Sequence, residues 1–441
     1  MKSYETPQQI ISNLGIDELN EMQIVANQSI QDESEVLLLA PTGSGKTLAF
    51  LLPILSLLNP YDKGIQCLIL SPSRELAIQI EQVWRKMSTG FKVNVCYGGH
   101  SMPIEIQSLI DPPALLIGTP GRISDHINRR SIDLIDTKIL VFDEFDKCLS
   151  LGFEAEMSFI TRKAQNINKK ILVSATAQIS IPDFVGFNDA KKLDYTKTEE
   201  KTNDGLVLKT VYTDSKNKLN TVFNLLCSLG NESTLIFCNL RETAEIVSET
   251  LNAKGIEAAF FHGKMEQIDR EKTLVRFRNG STKFLVASDL AARGLDIPNV
   301  KNIIHFEMPF HNADFVHRNG RTARMNASGT AYILLDKDKL KPPYLAVLPI
   351  EFKVPKVNNL PKASDWITLY ISGGKKDKLS KMDIVGFLSK KGQLGKNDIG
   401  LIEVMDFMSF VAVKKNKVDT LLFLIQNEKM KGQKYKIKID E

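Results

Sequence analysis

Short apolar runs alternate with longer amphipathic stretches along the first two thirds of the chain. In a first block the runs lie at residues 36–39, 67–70, 93–96, 114–117, 139–142 and 171–173. Helical patterns, such as residues 48–58 and 74–86, lie between them. Apolar runs of this length are typical of buried strands. Their alternation with helices predicts a parallel sheet joined by right-handed crossovers.

The same alternation returns after a polar stretch at residues 196–205, which predicts a linker. The second set of runs lies at residues 233–238, 258–261, 284–287, 302–305 and 331–335. A proline-bearing segment, 341–362, precedes a third unit with the order strand, helix, strand, strand, helix, strand. Its elements are expected at residues 367–372, 382–390, 401–405, 409–414, 418–426 and 435–439. This order is the ferredoxin-like α+β arrangement of RRM folds, and we expect domains at 1–200, 206–358 and 362–441.

Composition excludes several classes of protein. The 441 residues exceed what a single core holds, and 43% hydrophobic with 25% charged residues is typical of soluble globular proteins. The apolar runs are too short to cross a bilayer, and the first ten residues show no apolar signal core. Five cysteines without CxxC spacing argue against a zinc site and for reduced thiols. We therefore expect a cytoplasmic protein that acts as a monomer and has no membrane partner.

Positive charge is concentrated at the C-terminal end. Residues 362–441 contain 16 lysines, no arginine and 10 acidic residues, whereas the whole chain carries a net charge of +5. A basic unit on a near-neutral body indicates a polyanionic partner. The alternative is a merely solvated, lysine-rich surface.

The segment VLLLAPTGSGKT, at residues 36–47, carries the most specific chemistry. A strand that leads through glycines into a helix is the arrangement of a phosphate-binding loop. Backbone amides would surround phosphate oxygens, Lys46 would reach the β and γ phosphates, and Thr47 would bind Mg²⁺. The alternative is an ordinary turn before a core helix. The nucleotide-binding residues would be Ala40, Pro41, Thr42, Gly43, Ser44, Gly45, Lys46 and Thr47.

An acidic pair follows another predicted strand, in ILVFDEFD at residues 139–146. Asp143 would lie beside the Mg²⁺ ion, and Glu144 would polarise the attacking water. Phosphoryl transfer needs mainly a metal, positioning and charge neutralisation. Together with the phosphate-binding loop, this pair predicts nucleotide hydrolysis with Lys46, Asp143 and Glu144 as catalytic residues.

The motif set resembles that of the DEAD-box RNA helicases of superfamily 2, with DEFD in place of DEAD. The matching segments in the first block are Gln23, SPSRELA (71–77), Gly98-Gly99, TPGR (119–122) and SAT (174–176). Those in the second block are FCN (237–239), QIDR (267–270), ASDLAARGLD (287–296) and HRNGRTAR (317–324). The resemblance implies two tandem RecA-like domains, each an α/β parallel-sheet domain, that use ATP and bind RNA.

The resemblance also implies roles for individual residues. Gln23 would read adenine, Asp296 would hold the ribose hydroxyls, and Arg321 and Arg324 would act as arginine fingers. Contacts to the backbone of one RNA strand are implied for Arg74, Gly99, Thr119, Arg122, Gln267 and Arg270. Coupling between ATP and domain closure is implied for Ser174, Thr176, Asp146 and His317.

This chain departs from the family pattern at a few positions. Phe145 replaces a small alanine, so the acidic motif must make room for a ring. Asn319 and Ala323 stand where isoleucine and glycine are usual. No proline precedes Gln23, and Tyr4 is the nearest upstream aromatic residue that could stack on adenine.

The third unit resembles the C-terminal RNA-binding domain of the bacterial DbpA-type helicases, which implies large-subunit ribosomal RNA as partner. The matching segments are LYISGGKKDK (369–378) and DIGLIEV (398–404). Of the two usual stacking positions of an RRM strand, only Phe410 is aromatic. We therefore expect RNA binding to move to a basic rim, with Lys375, Lys376 and Lys378 on one side. The other side of this rim would be formed by Lys414, Lys415 and Lys417. The alternative is that these lysines are solvated surface charge without an RNA-binding role.

Three functions compete at this point. The first is an ATP-dependent RNA helicase that unwinds short duplexes and serves ribosome assembly. The second is an ATP-gated RNA clamp or assembly factor with little unwinding, which intact Glu144, Arg321 and Arg324 disfavour. The third is a DNA translocase of the same superfamily, which the close match to the DEAD-box motifs disfavours.

Overall fold

The computed structural model of the chain divides into two compact units. It describes residues 7–41, 43–176, 180–196, 205–214, 216–288, 300–322, 328–336, 341–345, 347–356 and 359–440. The first unit is centred on Met1–Lys201, and the second on Thr202–Arg293 and Ile297–Glu441. In the described residues, no helix is both long and apolar enough to span a bilayer.

The first unit is a seven-stranded parallel sheet flanked by helices. Its strands are β1 (Glu35–Leu39), β2 (Cys67–Leu70), β3 (Val93–Cys96), β4 (Leu115–Gly118), β5 (Ile139–Phe142), β6 (Lys169–Ser174) and β7 (Lys191–Asp194). The strand order is β3-β4-β2-β5-β6-β1-β7, and every recorded pairing is parallel.

Helices cover both faces of this sheet. They are α1 (Pro7–Asn13), α2 (Glu21–Asp32), α3 (Lys46–Leu57), α4 (Arg74–Lys86), α5 (Met102–Leu109), α6 (Pro120–Asn128), α7 (Phe145–Ser150) and α8 (Glu154–Lys163). Within β2, Cys67 and Ile69 join the core on one face, and Leu68 and Leu70 join the core on the other. Two-sided burial explains why the strands are continuous apolar runs rather than alternating ones.

The second unit begins with a six-stranded parallel sheet. Its strands are β8 (Leu206–Thr213), β9 (Thr234–Cys238), β10 (Ala258–Phe261), β11 (Phe284–Ser288), β12 (Asn302–His305) and β13 (Gly329–Asp336). The order is β10-β11-β9-β12-β13-β8. The accompanying helices are α9 (Lys218–Leu229), α10 (Arg241–Ala253), α11 (Gln267–Arg278) and α12 (Asn312–Asn319).

An antiparallel sheet of four strands completes the second unit. Its elements are β14 (Trp366–Ile371), α13 (Lys381–Lys390), β15 (Ile399–Val404), β16 (Ser409–Lys414), α14 (Val418–Ile425) and β17 (Ile437–Ile439). The order β15-β16-β14-β17 places β14 in the centre. The predicted fold class is confirmed: two parallel α/β sheets precede a small α+β domain of ferredoxin-like element order.

Polar contacts join the antiparallel domain to the preceding α/β domain. The Asn279 amide donates to Thr368 Oγ1 at 2.8 Å, and the Ser364 hydroxyl donates to the Gly280 carbonyl at 2.6 Å. Arg278 forms an ion pair with Glu403 at 3.2 Å. The side chains of Asn279 and Thr368 are buried, so one face of the antiparallel sheet is covered by the chain itself.

Candidate functional site

The phosphate-binding loop lies between the end of β1 and the start of α3. Gly43 and Gly45 have φ angles of 83° and 88°, in the left-handed region that favours glycine. A side chain at position 45 would also collide with the Gln23 amide. The Lys46 ammonium donates to the carbonyls of Ala40 at 2.6 Å and Pro41 at 2.9 Å. Thr42 lies outside the described residues.

A capping box at the start of α2 braces this loop. Asn20 Oδ1 accepts from the Gln23 amide N–H at 2.9 Å, and Gln23 Oε1 accepts from the Asn20 N–H at 3.0 Å. The two side chains also donate to the loop, Asn20 to the Ser44 carbonyl at 3.0 Å and Gln23 to the Gly45 carbonyl at 3.3 Å. The sequence indicated Gln23 through its family position. The family pattern did not indicate Asn20. The signal that could have found it is an asparagine three residues before a glutamine, which is typical of a helix cap.

The acidic motif follows β5 directly. Asp143 is 3% exposed, and Glu144 has a left-handed backbone with φ 46° at the start of α7. Burial raises the pKa of Asp143 to about 7, the Glu144 carboxylate adds to this rise, and the Lys46 ammonium opposes it. Because this buried carboxylate has little positive charge around it, a bound cation would stabilise its ionised form. With the Thr47 hydroxyl at the start of α3, the donors are the oxygens that Mg²⁺ prefers.

Phe145 does not disturb this motif. Its ring is fully buried and meets Phe142 edge to face, with 5.5 Å between the ring centroids. Phe184 contacts the same ring at 6.5 Å. The space that the sequence required for this ring is therefore supplied by the core beneath α7.

The SAT segment connects the acidic motif to the phosphate-binding loop. It follows β6, which lies between β5 and β1 in the sheet. The Ser174 carbonyl accepts from the Ala40 N–H at 3.1 Å, and the Thr176 hydroxyl donates to Asp146 at 3.3 Å. Ser174 Oγ accepts from the Thr176 N–H at 3.1 Å. These bonds give Ser174, Thr176 and Asp146 the connectivity that a coupling role requires.

The motifs expected to contact RNA within the first unit follow β2, β3 and β4, which are neighbours in the sheet. Arg74 begins α4, and a side chain at position 99 would lie 2.5 Å from its Nη1 atom. Gly99 has a φ of 89°, so glycine is favoured there on two grounds. Thr119 immediately precedes α6. The carboxyl ends of three adjacent strands thus bring Arg74, Gly99 and Thr119 to one edge of the sheet.

Arg122 is engaged by a buried carboxylate that the sequence did not reveal. Its Nε donates to Glu105 at 2.7 Å, and its Nη2 donates to the His100 carbonyl at 2.6 Å. Glu105 is 1% exposed and also contacts His126 at 2.8 Å and His100 at 3.1 Å. Burial alone would raise the pKa of Glu105, but the hydrogen bonds from His100, His126 and Arg122 lower it to about 2.

The same cluster has the spacing of a metal site, since ligand atoms of Cys96, Glu105 and His126 lie within 4.8 Å of one another. The Arg122 guanidinium nevertheless occupies a Glu105 oxygen, and burial raises the pKa of the Cys96 thiol. A guanidinium on the carboxylate and a protonated thiol favour an internal ion pair over a bound cation.

The motif residues of the second unit lie at the ends of α11 and α12. Gln267 begins α11 and donates to Glu271 at 2.8 Å, and the Arg270 guanidinium lies 5.0 Å from the centre of the Phe261 ring. His317 and Arg321 are each 4% exposed near the end of α12. The expectations for Asp296, Arg324, Ala323 and Tyr4 lie outside the described residues.

Asn319 forms a specific contact at a position where the family usually has isoleucine. Its Oδ1 lies 2.9 Å from His305 Nε2 in a buried setting. Burial and the nearby Arg318 charge lower the pKa of His305 to about 3. The imidazole is therefore neutral, and the asparagine supplies a partner that isoleucine could not.

The lysine loop of the third domain is built on tight backbone contacts. The Gly374 N–H donates to Asp377 at 2.9 Å, and the Lys375 N–H donates to the Met405 carbonyl at 2.8 Å. Lys375, Lys376 and Lys378 are all exposed. Phe410, in contrast, is fully buried, on the sheet face that includes Thr368. Phe410 is therefore not open to base stacking.

The fold and the site define a class: an α/β nucleotide-hydrolysing protein with a second parallel-sheet domain. A family model for DEAD/DEAH box helicases matches residues 20–184, and one for the helicase conserved C-terminal domain matches residues 217–326. A model for the DbpA RNA binding domain matches residues 368–439. The chain belongs to the DEAD-box ATP-dependent RNA helicases of the DbpA type.

Individual relatives agree with this assignment. The ATP-dependent RNA helicase DbpA of Escherichia coli (strain K12) is 32% identical over 97% of this chain and 96% of its own length. DbpA of Bacillus subtilis (strain 168) is 29% identical over 99% of this chain and 98% of its own length. The structure of S. cerevisiae Dbp5 bound to RNA and ADP BeF3 matches with a TM-score of 0.65 and 26% identity. The matched region covers 76% of this chain and 88% of the Dbp5 chain.

Proposed function

We propose that this chain couples ATP hydrolysis to the local unwinding of short RNA duplexes, and that its third domain anchors it to structured large-subunit ribosomal RNA. The observation that carries the catalytic part is the link between the two motifs through β6, whose Ser174 carbonyl accepts from the Ala40 N–H and whose following Thr176 hydroxyl donates to Asp146. The phosphate-binding loop and the acidic motif therefore act as one site rather than as two unrelated features.

Each residue of that site has a physical task. Lys46 would neutralise charge on the β and γ phosphates, and the backbone amides of residues 43–46 would hold phosphate oxygens. Mg²⁺ would be held by Thr47 and Asp143, and when bound it supplies charge neutralisation for the transferring phosphoryl group. Glu144 would orient the attacking water and accept its proton. Arg321 and Arg324 would stabilise the charge that develops during transfer.

The RNA contacts would be of two kinds. Arg74, Gly99, Thr119, Arg122, Gln267 and Arg270 would hold the sugar-phosphate backbone, which provides grip without sequence readout. Selectivity would come from the third domain, through the exposed lysines 375, 376 and 378. The burial of Phe410 supports this division, because it removes an aromatic ring that would otherwise stack on bases.

The resemblance to DbpA-type proteins suggests where this activity is used. We place the chain in the cytoplasm, acting as a monomer on ribosomal RNA during assembly of the large subunit. The two matched DbpA helicases align with this chain over nearly their full length, which supports the proposal.

Strand separation distinguishes this proposal from an RNA clamp and from a DNA translocase. We expect the purified chain with ATP and Mg²⁺ to release a labelled strand from a short RNA duplex and to leave a DNA duplex of the same sequence intact. RNA binding and ATP turnover without strand release would favour the clamp. Equal stimulation of turnover by RNA and DNA would favour the translocase.

Glu144→Gln is the matched control for this assay. The substitution preserves volume and removes the charge that orients water, so ATP and RNA should bind while turnover stops. A variant that still unwinds at the parental rate would assign Glu144 some other role.

A further inference from the structure

Lysines alternate with other residues along the end of the third domain, before and within the edge strand β17. β17 pairs with β14 and ends the sheet. Tyr435, Ile437 and Ile439 pack against the core, whereas Lys436 and Lys438 are exposed between them. Alternate residues of a strand project from the same face about 7 Å apart. The edge therefore presents a line of regularly spaced positive charges.

A groove of about 480 Å³ accompanies this row. One side is lined by the end of α14 and the residue that follows it, namely Leu422, Ile425 and Gln426. The other side is lined by residues 434–439. Its lining includes three lysines and, in the part of the chain that the structure describes, no acidic side chain. The groove therefore runs along an edge of the domain whose lining residues carry positive charge and no negative charge.

The row continues into the lysine loop. The Ser372 N–H donates to the Lys436 carbonyl at 3.0 Å, and the Lys436 N–H donates to Ser372 Oγ at 2.9 Å. The Tyr435 ring lies directly against Gly373, and the Lys431 ammonium donates to the Lys378 carbonyl at 2.7 Å. Backbone bonds thus fix the edge strand to the loop that carries lysines 375, 376 and 378.

Edge protection alone does not account for this surface. Lysines on edge strands discourage pairing with other chains, but β17 has only three residues and is already a poor template. Lys434 precedes the strand yet belongs to the same groove, where it donates to Asn427 at 3.2 Å. Within the described residues, neither Lys436 nor Lys438 has an acidic partner that would neutralise it.

We propose that this edge, Lys434–Ile439 with the facing end of α14, is a second RNA-contacting surface that extends the lysine loop. The inference rests on the proposed function, because it takes RNA as the ligand. Lys436 and Lys438 would hold successive phosphates of an RNA strand that runs along this edge of the sheet. Point charges of this kind supply affinity and register rather than base readout.

The test compares two double variants of the full-length chain that remove equal charge. Lys436→Gln with Lys438→Gln alters the groove, and Lys390→Gln with Lys396→Gln alters exposed lysines of the same domain outside it. Affinity for purified large-subunit ribosomal RNA is measured between 0.05 and 0.3 M salt, with roughly 0.7 of salt slope expected per phosphate contact. We expect the groove variant to bind on the order of 10-fold more weakly at 0.1 M salt, with a slope smaller by about 1.4, since two phosphate contacts are lost. The control variant should stay within about twofold.

Lysine acetylation of the unaltered chain provides a second readout. Bound ribosomal RNA should protect Lys436 and Lys438 from the reagent and leave Lys390 and Lys396 reactive. Equal behaviour of the two double variants, or unprotected groove lysines, would overturn the inference. Equal protection by poly-glutamate would also overturn it, in favour of an acidic protein partner. RNA-stimulated ATP turnover of the parent, measured alongside, tests the proposed function separately.

Discussion

At the scale of single residues, the buried Glu105 is the clearest addition to what the motifs indicate. Its carboxylate meets Arg122, His126 and His100, and these hydrogen bonds hold its pKa at about 2. A carboxyl with a lowered pKa stabilises the fold above its unfolded pKa, and this contribution is lost as the pH falls through the folded value.

We therefore expect Glu105→Gln to lower the free energy of unfolding by on the order of 3 kcal/mol at pH 7, since the partly buried Arg122 loses its charged partner. The difference from the parent should shrink between about pH 4.5 and pH 2, where the parental carboxylate becomes protonated. Urea unfolding at pH 7, 5, 4 and 3 measures both effects. A difference that is constant over this range would mean that the carboxylate charge is not what holds the cluster.

Sequence reasoning found the motif residues but not this partner. Lys46, Asp143 and Glu144 follow strands at positions that a pattern can locate. Glu105 lies 17 residues before Arg122 on a different helix, and nothing local marks it. Only the pairing of β3 with β4 brings α5 and α6 together.

At the scale of elements, the start of α2 does two tasks at once. Its capping box satisfies the first amides of the helix, and the same two side chains hold the phosphate-binding loop. A cap is worth about 1 kcal/mol, whereas the loop contact acts on nucleotide binding.

Asn20→Ala should therefore cost about 1 kcal/mol of stability and raise the KM for ATP severalfold. Ser380→Ala is the matched control, because Ser380 caps α13 with the same box in the third domain. It should cost the same stability and leave the KM for ATP unchanged. Unfolding by urea and steady-state turnover check the two effects, and an equal KM for both variants would contradict the bracing role.

The predicted elements agree with the structure wherever strands are buried on both faces. Residues 139–142, for example, were expected as a strand and form β5. The predictions missed β7 and β8, which lie at the edges of their sheets. The sequence of β7, Lys191–Asp194, is mostly polar, and the first half of β8 is not buried, so neither is a continuous apolar run. An edge strand needs less apolar surface, so β7 and β8 can lack the apolar run by which the opposite edges, β3 and β10, were predicted.

At the scale of the whole molecule, the proposed function separates hydrolysis from target selection. Turnover would belong to the parallel-sheet domains, and selection would belong to the lysine loop of the third domain. The order of modules could be predicted from the sequence. The covered face of the antiparallel sheet could not, because it depends on Asn279 and Ser281, which lie some 90 residues before Thr368.

Replacement of lysines 375, 376 and 378 by glutamine should weaken binding to large-subunit ribosomal RNA and reduce its salt dependence by about two units of slope. Phe410→Ala should cost on the order of 3 kcal/mol of stability yet change RNA affinity less, because the ring is buried. Filter binding at several salt concentrations and urea unfolding measure these effects. Stronger loss of RNA affinity in the Phe410 variant would contradict the assignment to the loop.

Arg321→Ala should leave RNA binding without nucleotide unchanged and reduce RNA-stimulated turnover by roughly 10³-fold, the value of an arginine finger. Arg318→Ala is a useful comparison, because Arg318 contacts Asn239 and the Phe237 ring and should mainly affect stability. Unchanged stimulation in the Arg321 variant would remove it from the catalytic set.

The most direct test of the central claim is RNA-stimulated ATP turnover of the parent and of Lys46→Ala. The account predicts that RNA accelerates turnover by the parent, and that Lys46→Ala lowers the stimulated rate by on the order of 10²-fold or more. The unfolding transition of the variant should stay close to that of the parent, since Lys46 donates to the Ala40 and Pro41 carbonyls of the phosphate-binding loop rather than packing in the hydrophobic core. Near-normal turnover by the variant, or no response of the parent to RNA, would contradict the account.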